Sequence, residues 1–286
     1  MKKIFFIITV FLCTAALHAG LFVDDVGRTV NVKTPVNSIV CLSPAHTEMI
    51  YWMGAQNRLA AVSTSCDYPA AAKKLEKAGS FMEPDVEKIV ALKPDVVISG
   101  GGVQKKAIAK LEELGIPVMV LYPRNVDKDM WRNINIIGKL LEEPVMARNK
   151  VIEYERMMDE VTRRGGYELK VYMEMWNQPV MAVGNASFIN QMVKLSGGRN
   201  ILAGAGSEYP KISPEEIVKR NPDVIILLYK PEKDYMDRPY FKQTNAGKKG
   251  NIYVFDNTDI ILRPGPRVPA GIKSLRKIMD KAETKI

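Results

Sequence analysis

Short apolar runs rich in valine and isoleucine recur along the chain. Runs that are apolar on both faces are what a parallel sheet covered by helices requires. The pattern predicts strands over 38–42, 59–63, 95–99, 117–121, 169–175, 223–228 and 252–255. Between them, helices are predicted to begin near Pro44, Asp85, Val103, Ser187, Ser213 and Pro266. Strands alternating with helices define an α/β fold. One helix stands apart. From Pro144 to Arg164, just before Gly165-Gly166, the residues Ala147, Val151, Tyr154, Met158 and Val161 recur at steps of four and three. Those steps trace one helix face. At the standard rise such a helix reaches about 31 Å, and it reads as a rigid connection between two α/β lobes.

An internal repeat supports the division into two lobes. Residues 83–98 read EPDVEKIVALKPDVVI and residues 211–226 read KISPEEIVKRNPDVII. Offset by 128 positions, they share Glu87/Glu215, Ile89/Ile217, Val90/Val218, Pro94/Pro222, Asp95/Asp223, Val96/Val224 and Ile98/Ile226. Asp85 or Ser213 caps a short helix, with Pro214 at a first-turn position and Glu216 at capping-box spacing from Ser213. The helix stops before Pro94 or Pro222, because that ring disfavours helical backbone in the residue before it. A β-branched strand follows in both copies. The predicted organisation is a segment 1–19, an N-terminal lobe 20–125, a helical connection 126–166 that includes the long helix 144–164, and a C-terminal lobe 167–286.

Composition narrows the function. The 286 residues are 47% hydrophobic and 26% charged, enough apolar material for two cores. After the N-terminus no apolar run approaches the roughly 20 residues of a membrane span. The formal charge of +9 is dispersed, with Lys105-Lys106, Arg163-Arg164 and Lys248-Lys249 as isolated pairs. That is not the basic stripe with interleaved aromatics of a nucleic-acid binder, and no nucleic-acid partner is expected. Lys2-Lys3, an apolar stretch from Ile4 to Leu17 and the small Ala19 have the layout of a cleavable signal peptide. Cys13 follows Leu12 rather than a small residue, which argues against lipidation. The mature chain is thus expected in the periplasm, away from nucleotide pools, where kinase and dehydrogenase readings lose their footing. Cys41 and Cys66 remain there, each expected at a strand end; a disulfide and two buried thiols are both compatible with that compartment. His46 is then the only histidine, too few for an imidazole-rich metal site. Catalysis finds no motif. A GxSxG elbow is absent, although Gly184-Asn185-Ala186-Ser187 comes near it, and a triad would have to recruit His46. Ser99-Gly100-Gly101-Gly102 lacks the P-loop spacing and reads as a turn.

Several segments, in this order, carry a resemblance: IVCLSPAHTEMIYWMGA (39–55), CDYP (66–69), VEKIVALKPDVVI (86–98), SFINQMVKLSGGRNI (187–201), YPKISPEEIV (209–218) and RPGPR (263–267). With the joining helix they make the chain resemble the substrate-binding proteins of ABC importers for cobalamin, iron-siderophores and haem, most closely the cobalamin branch. The resemblance implies two Rossmann-like lobes bridged by one long helix, the helical-backbone metal-chelate receptor type, with ligand held in the cleft between lobes. It implies a non-enzyme with no covalent cofactor. A corrinoid (cobalamin-like) or other metal chelate is the transported ligand, the dimeric transmembrane permease is the partner, and the binding protein itself is a monomer. It also implies that Glu87 and Glu215 lie on the outer surface and dock against permease arginines. As first-turn residues they also suit the helix dipole.

Ligands of open α/β sheets gather at the carboxyl ends of strands, which draws in the loops around Ser43, Ser65, Gly100, Tyr122, Trp176 and RPGPR. Tyr68, Phe81, Trp176, Tyr209 and Arg267 align with family positions that contact cobalamin. Gly100 stands where the prototype carries a tryptophan, and Phe81 or Met82 fills another aromatic site, so the cradle is less aromatic. Arg263 and Arg267, stiffened by Pro-Gly-Pro, offer forked donors to a phosphate or carboxylate. The phosphate and amides of cobalamin, the propionates of haem and the anionic groups of ferric siderophores all suit them. His46, at a helix start, reads as a buried donor rather than a metal ligand. The stiff helix predicts only small lobe motions.

Overall fold

The computed structural model describes residues 18–162, 168–202, 204, 206–232 and 237–285. All but the last two residues of the expected signal segment lie outside that set. His18 and Ala19 open a strand, β1 (His18–Val23), which pairs antiparallel with β2 (Thr29–Thr34), so a cut after Ala19 falls within this hairpin. The hairpin is absent from the sequence-based expectation. Only alternate β2 residues (Val30, Val32 and Thr34) are buried, and a strand covered on one face leaves no continuous apolar run.

Two parallel sheets follow. The first contains β3 (Ile39–Cys41), β4 (Leu59–Val62), β5 (Glu76–Lys77), β6 (Val96–Ser99) and β7 (Val118–Val120), in the spatial order β5-β4-β3-β6-β7. Alternate residues serve opposite faces, the pleat's period of two. Ile39, Cys41, Ile98 and Met119 enter one apolar cluster, while Val40, Leu42, Val97 and Val118 enter another. Helices α1 (Pro44–Trp52), α2 (Val86–Leu92) and α3 (Lys105–Glu113) connect the strands. Then come α4 (Lys128–Leu140) and α5 (Pro144–Thr162). The expected end of the long helix, 163–164, lies outside the described residues.

The second sheet is built from β8 (Leu169–Asn177), β9 (Val180–Ala182), β10 (Gly198–Asn200), β11 (Val224–Leu227) and β12 (Ile252–Val254). Its order is β10-β8-β11-β12, all parallel, with β9 folded back antiparallel on β8. Helices α6 (Phe188–Leu195), α7 (Pro214–Arg220), α8 (Pro239–Gln243), α9 (Asn245–Lys249), α10 (Asp259–Leu262) and α11 (Val268–Glu283) complete it. The α5 face read from the sequence touches both halves. Ala147 and Tyr154 are buried in the first sheet's cluster, Met158 lies against that cluster and the second sheet's, and Val161 packs on the second alone. The Tyr154 hydroxyl donates to the Val126 carbonyl at 2.7 Å.

The repeat is visible in three dimensions. β4-β3-β6-β7 and β10-β8-β11-β12 share one order, with the repeated strands β6 and β11 third in each. Asp85 accepts from the Lys88 amide at 3.0 Å and Ser213 from the Glu216 amide at 3.3 Å. Both helices end in a left-handed residue, Lys93 (φ 48°) and Asn221 (φ 47°), immediately before the proline. The shared aspartates hold the neighbouring strand. Asp95 accepts from the amides of Asn37 (2.8 Å) and Ser38 (2.9 Å), and Asp223 from the amide of Lys170 (3.0 Å).

Candidate functional site

The carboxyl ends of β3, β4, β6 and β7 open onto a cavity of about 270 Å³. Ser43, His46, Ser65, Phe81, Gly100 and Tyr122 line it from the first half, facing Asp259, Leu262 and Arg263 from the second. Gly100 matters for its bareness: a side chain there would meet the Phe81 ring and the Ser43 hydroxyl.

Beside the cavity the halves are tied by charge. Glu48 of α1, almost fully buried, accepts from Arg267 through both carboxylate oxygens (Nε 2.7 Å, Nη2 2.5 Å) and from Arg263 Nη1 at 3.1 Å. Arg263 also reaches Asp67 at 2.8 Å and Asp259 at 3.0 Å. Burial opposes the Arg263 charge, but the hydrogen bonds it donates to Asp67 and Glu48 outweigh that and raise its pKa. The Pro264-Gly265-Pro266 bend seats on α1, where a side chain at Gly265 would press on Ala45. The forked donors read from RPGPR are thus present, but they hold the protein's own carboxylates. Two arginines face three acids. On the other flank, the Tyr122 hydroxyl donates to Glu208 at 2.8 Å across the halves. Burial, reinforced by Glu208, pushes the Tyr122 phenol up to about 12.

The structure gathers only some of the sequence-read candidates. Phe81, Gly100 and Arg263 line the cavity. Tyr68 and Arg267 line a neighbouring hollow of about 330 Å³ with Tyr51, Trp52 and Met157, the Arg267 guanidinium stacked 3.9 Å above the Tyr68 ring. Met82 and Trp176 are 61% and 53% exposed. Trp176 donates its indole N–H to the Gln178 carbonyl at 3.0 Å and leans on Tyr229. Tyr209 is half-buried against the second core, next to Glu208 and within electrostatic reach of Tyr122. Glu87 and Glu215 are exposed in the first turns of α2 and α7.

Sequence reasoning missed Glu48, Glu208 and the cluster behind Trp176. There the buried Glu174 accepts from the hydroxyls of Tyr172 (2.7 Å) and Tyr229 (2.6 Å), and burial raises its pKa. Cys66 corrects an expectation: β4 stops at Val62, because the chain turns at Ser63, and the cysteine falls in the following loop. Both thiols are free and buried; Cys41 is pushed up to about 12, chiefly by burial, which leaves it protonated.

Two α/β halves close a cavity between their strand-end loops, and one long helix packs against the cores of both. The chain belongs to the periplasmic binding protein family, whose family model matches residues 39–258. A vitamin B12-binding protein of Vibrio vulnificus (strain CMCP6) is 27% identical over 257 residues, covering 88% of this chain and 93% of its own. A possible iron-binding (periplasmic solute-binding) protein of Staphylococcus epidermidis superposes with a TM-score of 0.75 at 27% identity, over 86% of this chain and 99% of that one. The periplasmic vitamin B12-binding protein BtuF of Vibrio cholerae gives a TM-score of 0.73 at 23% identity, over 87% and 98%, a likeness of fold.

Proposed function

We propose that this protein captures a corrinoid in the cleft between its halves and delivers it to the permease of an ABC importer. The observation that carries the choice of cargo is the pairing of Arg263 and Arg267 with Glu48, Asp67 and Asp259. Haem propionates or an anionic siderophore draw on unpaired cations, whereas a corrinoid carries a single phosphate among many carboxamides, which ask mainly for neutral donors, acceptors and apolar walls. Tyr68, Phe81, Met82, Gly100, Trp176, Tyr209, Arg263 and Arg267 form the ligand-facing set in this reading. The cavity of about 270 Å³ falls just under the roughly 300–1,000 Å³ of small-molecule sites. A corrin ring therefore lies across the mouth, against the exposed Trp176 and Met82, and the Tyr122–Glu208 link yields as it enters.

The lobes in this proposal are 20–125 and 167–286, joined by 126–166. Glu87 and Glu215 are the permease contacts, and residues 1–19 direct export to the periplasm. Calorimetric titration of the purified protein with cyanocobalamin, haemin and a ferric hydroxamate tests the reading. Saturable one-to-one binding of cyanocobalamin, tightest of the three, is the expected result. Preference for haemin or the ferric chelate moves the cargo within the importer class, and binding of none overturns the proposal.

A further inference from the structure

Ser43 stands at the N-terminus of α1, yet its side chain makes no cap to that helix. Its hydroxyl instead lies 2.8 Å from His46 Nδ1, and the ring's other nitrogen, Nε2, lies 3.3 Å from Asn133 Nδ2. His46 and Asn133 are both buried. Burial pushes the His46 pKa down to about 3, so the ring is neutral and offers one donor and one acceptor. Which nitrogen carries the proton is set one step further back. The group of Asn133 that faces the ring is its amide nitrogen, which has only hydrogens to give, so Nε2 accepts. The proton sits on Nδ1 and is donated to Ser43. One lone pair of the Ser43 oxygen is then taken, and its own hydrogen remains to be given away. The oxygen forms part of the cavity wall beside Gly100 and Phe81.

We propose that the pair Asn133–His46 fixes Ser43 as a hydrogen-bond donor into the cleft, where it recognises an acceptor oxygen at the edge of the cargo. On the corrinoid reading, upon which this inference rests, that acceptor is a side-chain amide carbonyl. Asn133 and His46 are positioning residues; of the three, Ser43 is the one that touches the ligand.

Two measurements test it. Long-range proton–nitrogen NMR of the ¹⁵N-labelled protein is expected to show His46 protonated at Nδ1 and bare at Nε2. That pattern should hold across roughly pH 5 to 8, where an ordinary histidine titrates. An Nε2-protonated ring overturns the relay whether or not any ligand binds. Calorimetry of Ser43→Ala is expected to show about tenfold weaker binding of cyanocobalamin, the loss of one hydrogen bond, together with a lower melting temperature because the buried His46 N–H loses its acceptor. Wild-type binding of cyanocobalamin with an unaffected S43A overturns the donor and leaves the functional reading standing. A wild-type protein that binds none of the three chelates overturns the functional reading and the cargo contact together, while the NMR result still decides the relay.

Discussion

His46 is the residue whose environment departs furthest from what its type suggests. A lone histidine near a cleft invites a role as metal ligand or base, but here the ring is sealed between Ser43 and Asn133. Its proton affinity has a consequence for stability. The folded chain holds the ring neutral down to about pH 3, whereas the unfolded chain binds a proton below the ordinary value of 6.5. Stability is therefore complete above about 6.5 and is lost as the pH falls toward 3, at up to about 1.4 kcal/mol per pH unit from this group. Urea unfolding at a series of pH values is expected to show a shallower acid limb for His46→Gln than for the wild type. Parallel limbs would show that the ring does not carry the effect. That His46 is buried could be read from its place at a helix start. That it orients Ser43 could not, because Asn133 lies 87 positions away along the chain.

Among the elements, the repeat was the most legible. Both copies have the expected cap, apolar face, stop and strand, and the strands buried on both faces announced themselves as unbroken valine and isoleucine runs. Elements with one covered face or few residues did not: the β1–β2 hairpin, the two-residue β5, and β10, whose sequence Gly-Arg-Asn carries no strand signal. The aspartate of each Pro-Asp pair was visible as a shared letter without a role. In three dimensions it satisfies the backbone at the start of the adjacent strand, β3 or β8. Asp95→Ala and Asp223→Ala should each cost about 0.5–1.5 kcal/mol, the net worth of hydrogen bonds to amides that stay partly open to water. Chemical denaturation of the two variants checks this, and the similarity of the two losses tests the shared role. A negligible cost at either site would separate the copies.

At the scale of the whole molecule, α5 contributes side chains to the apolar clusters of both sheets, and its face could be traced from residue spacing alone. The pairing of Glu48 with Arg263 and Arg267 had no such trace, because ions 215 and 219 positions apart leave no local pattern. Exposure of Glu87 and Glu215 on corresponding helices gives two matched acidic points, one on each half. In the proposed transport cycle, Glu87→Ala combined with Glu215→Ala leaves cargo affinity unchanged and abolishes uptake in cells that depend on this protein. Normal uptake by the double variant would remove both residues from the permease contact.

The clustering of Arg263 and Arg267 with Glu48, Asp67 and Asp259 also bears on how quickly cargo arrives. The chain carries a formal +9, yet beside the cleft two arginines meet three acids, so the local charges nearly cancel and little field reaches into solvent. On the corrinoid reading the cargo brings no net charge either, and its rate of encounter should stay level from dilute buffer to brine, unlike that of proteins whose clefts attract ligand by charge.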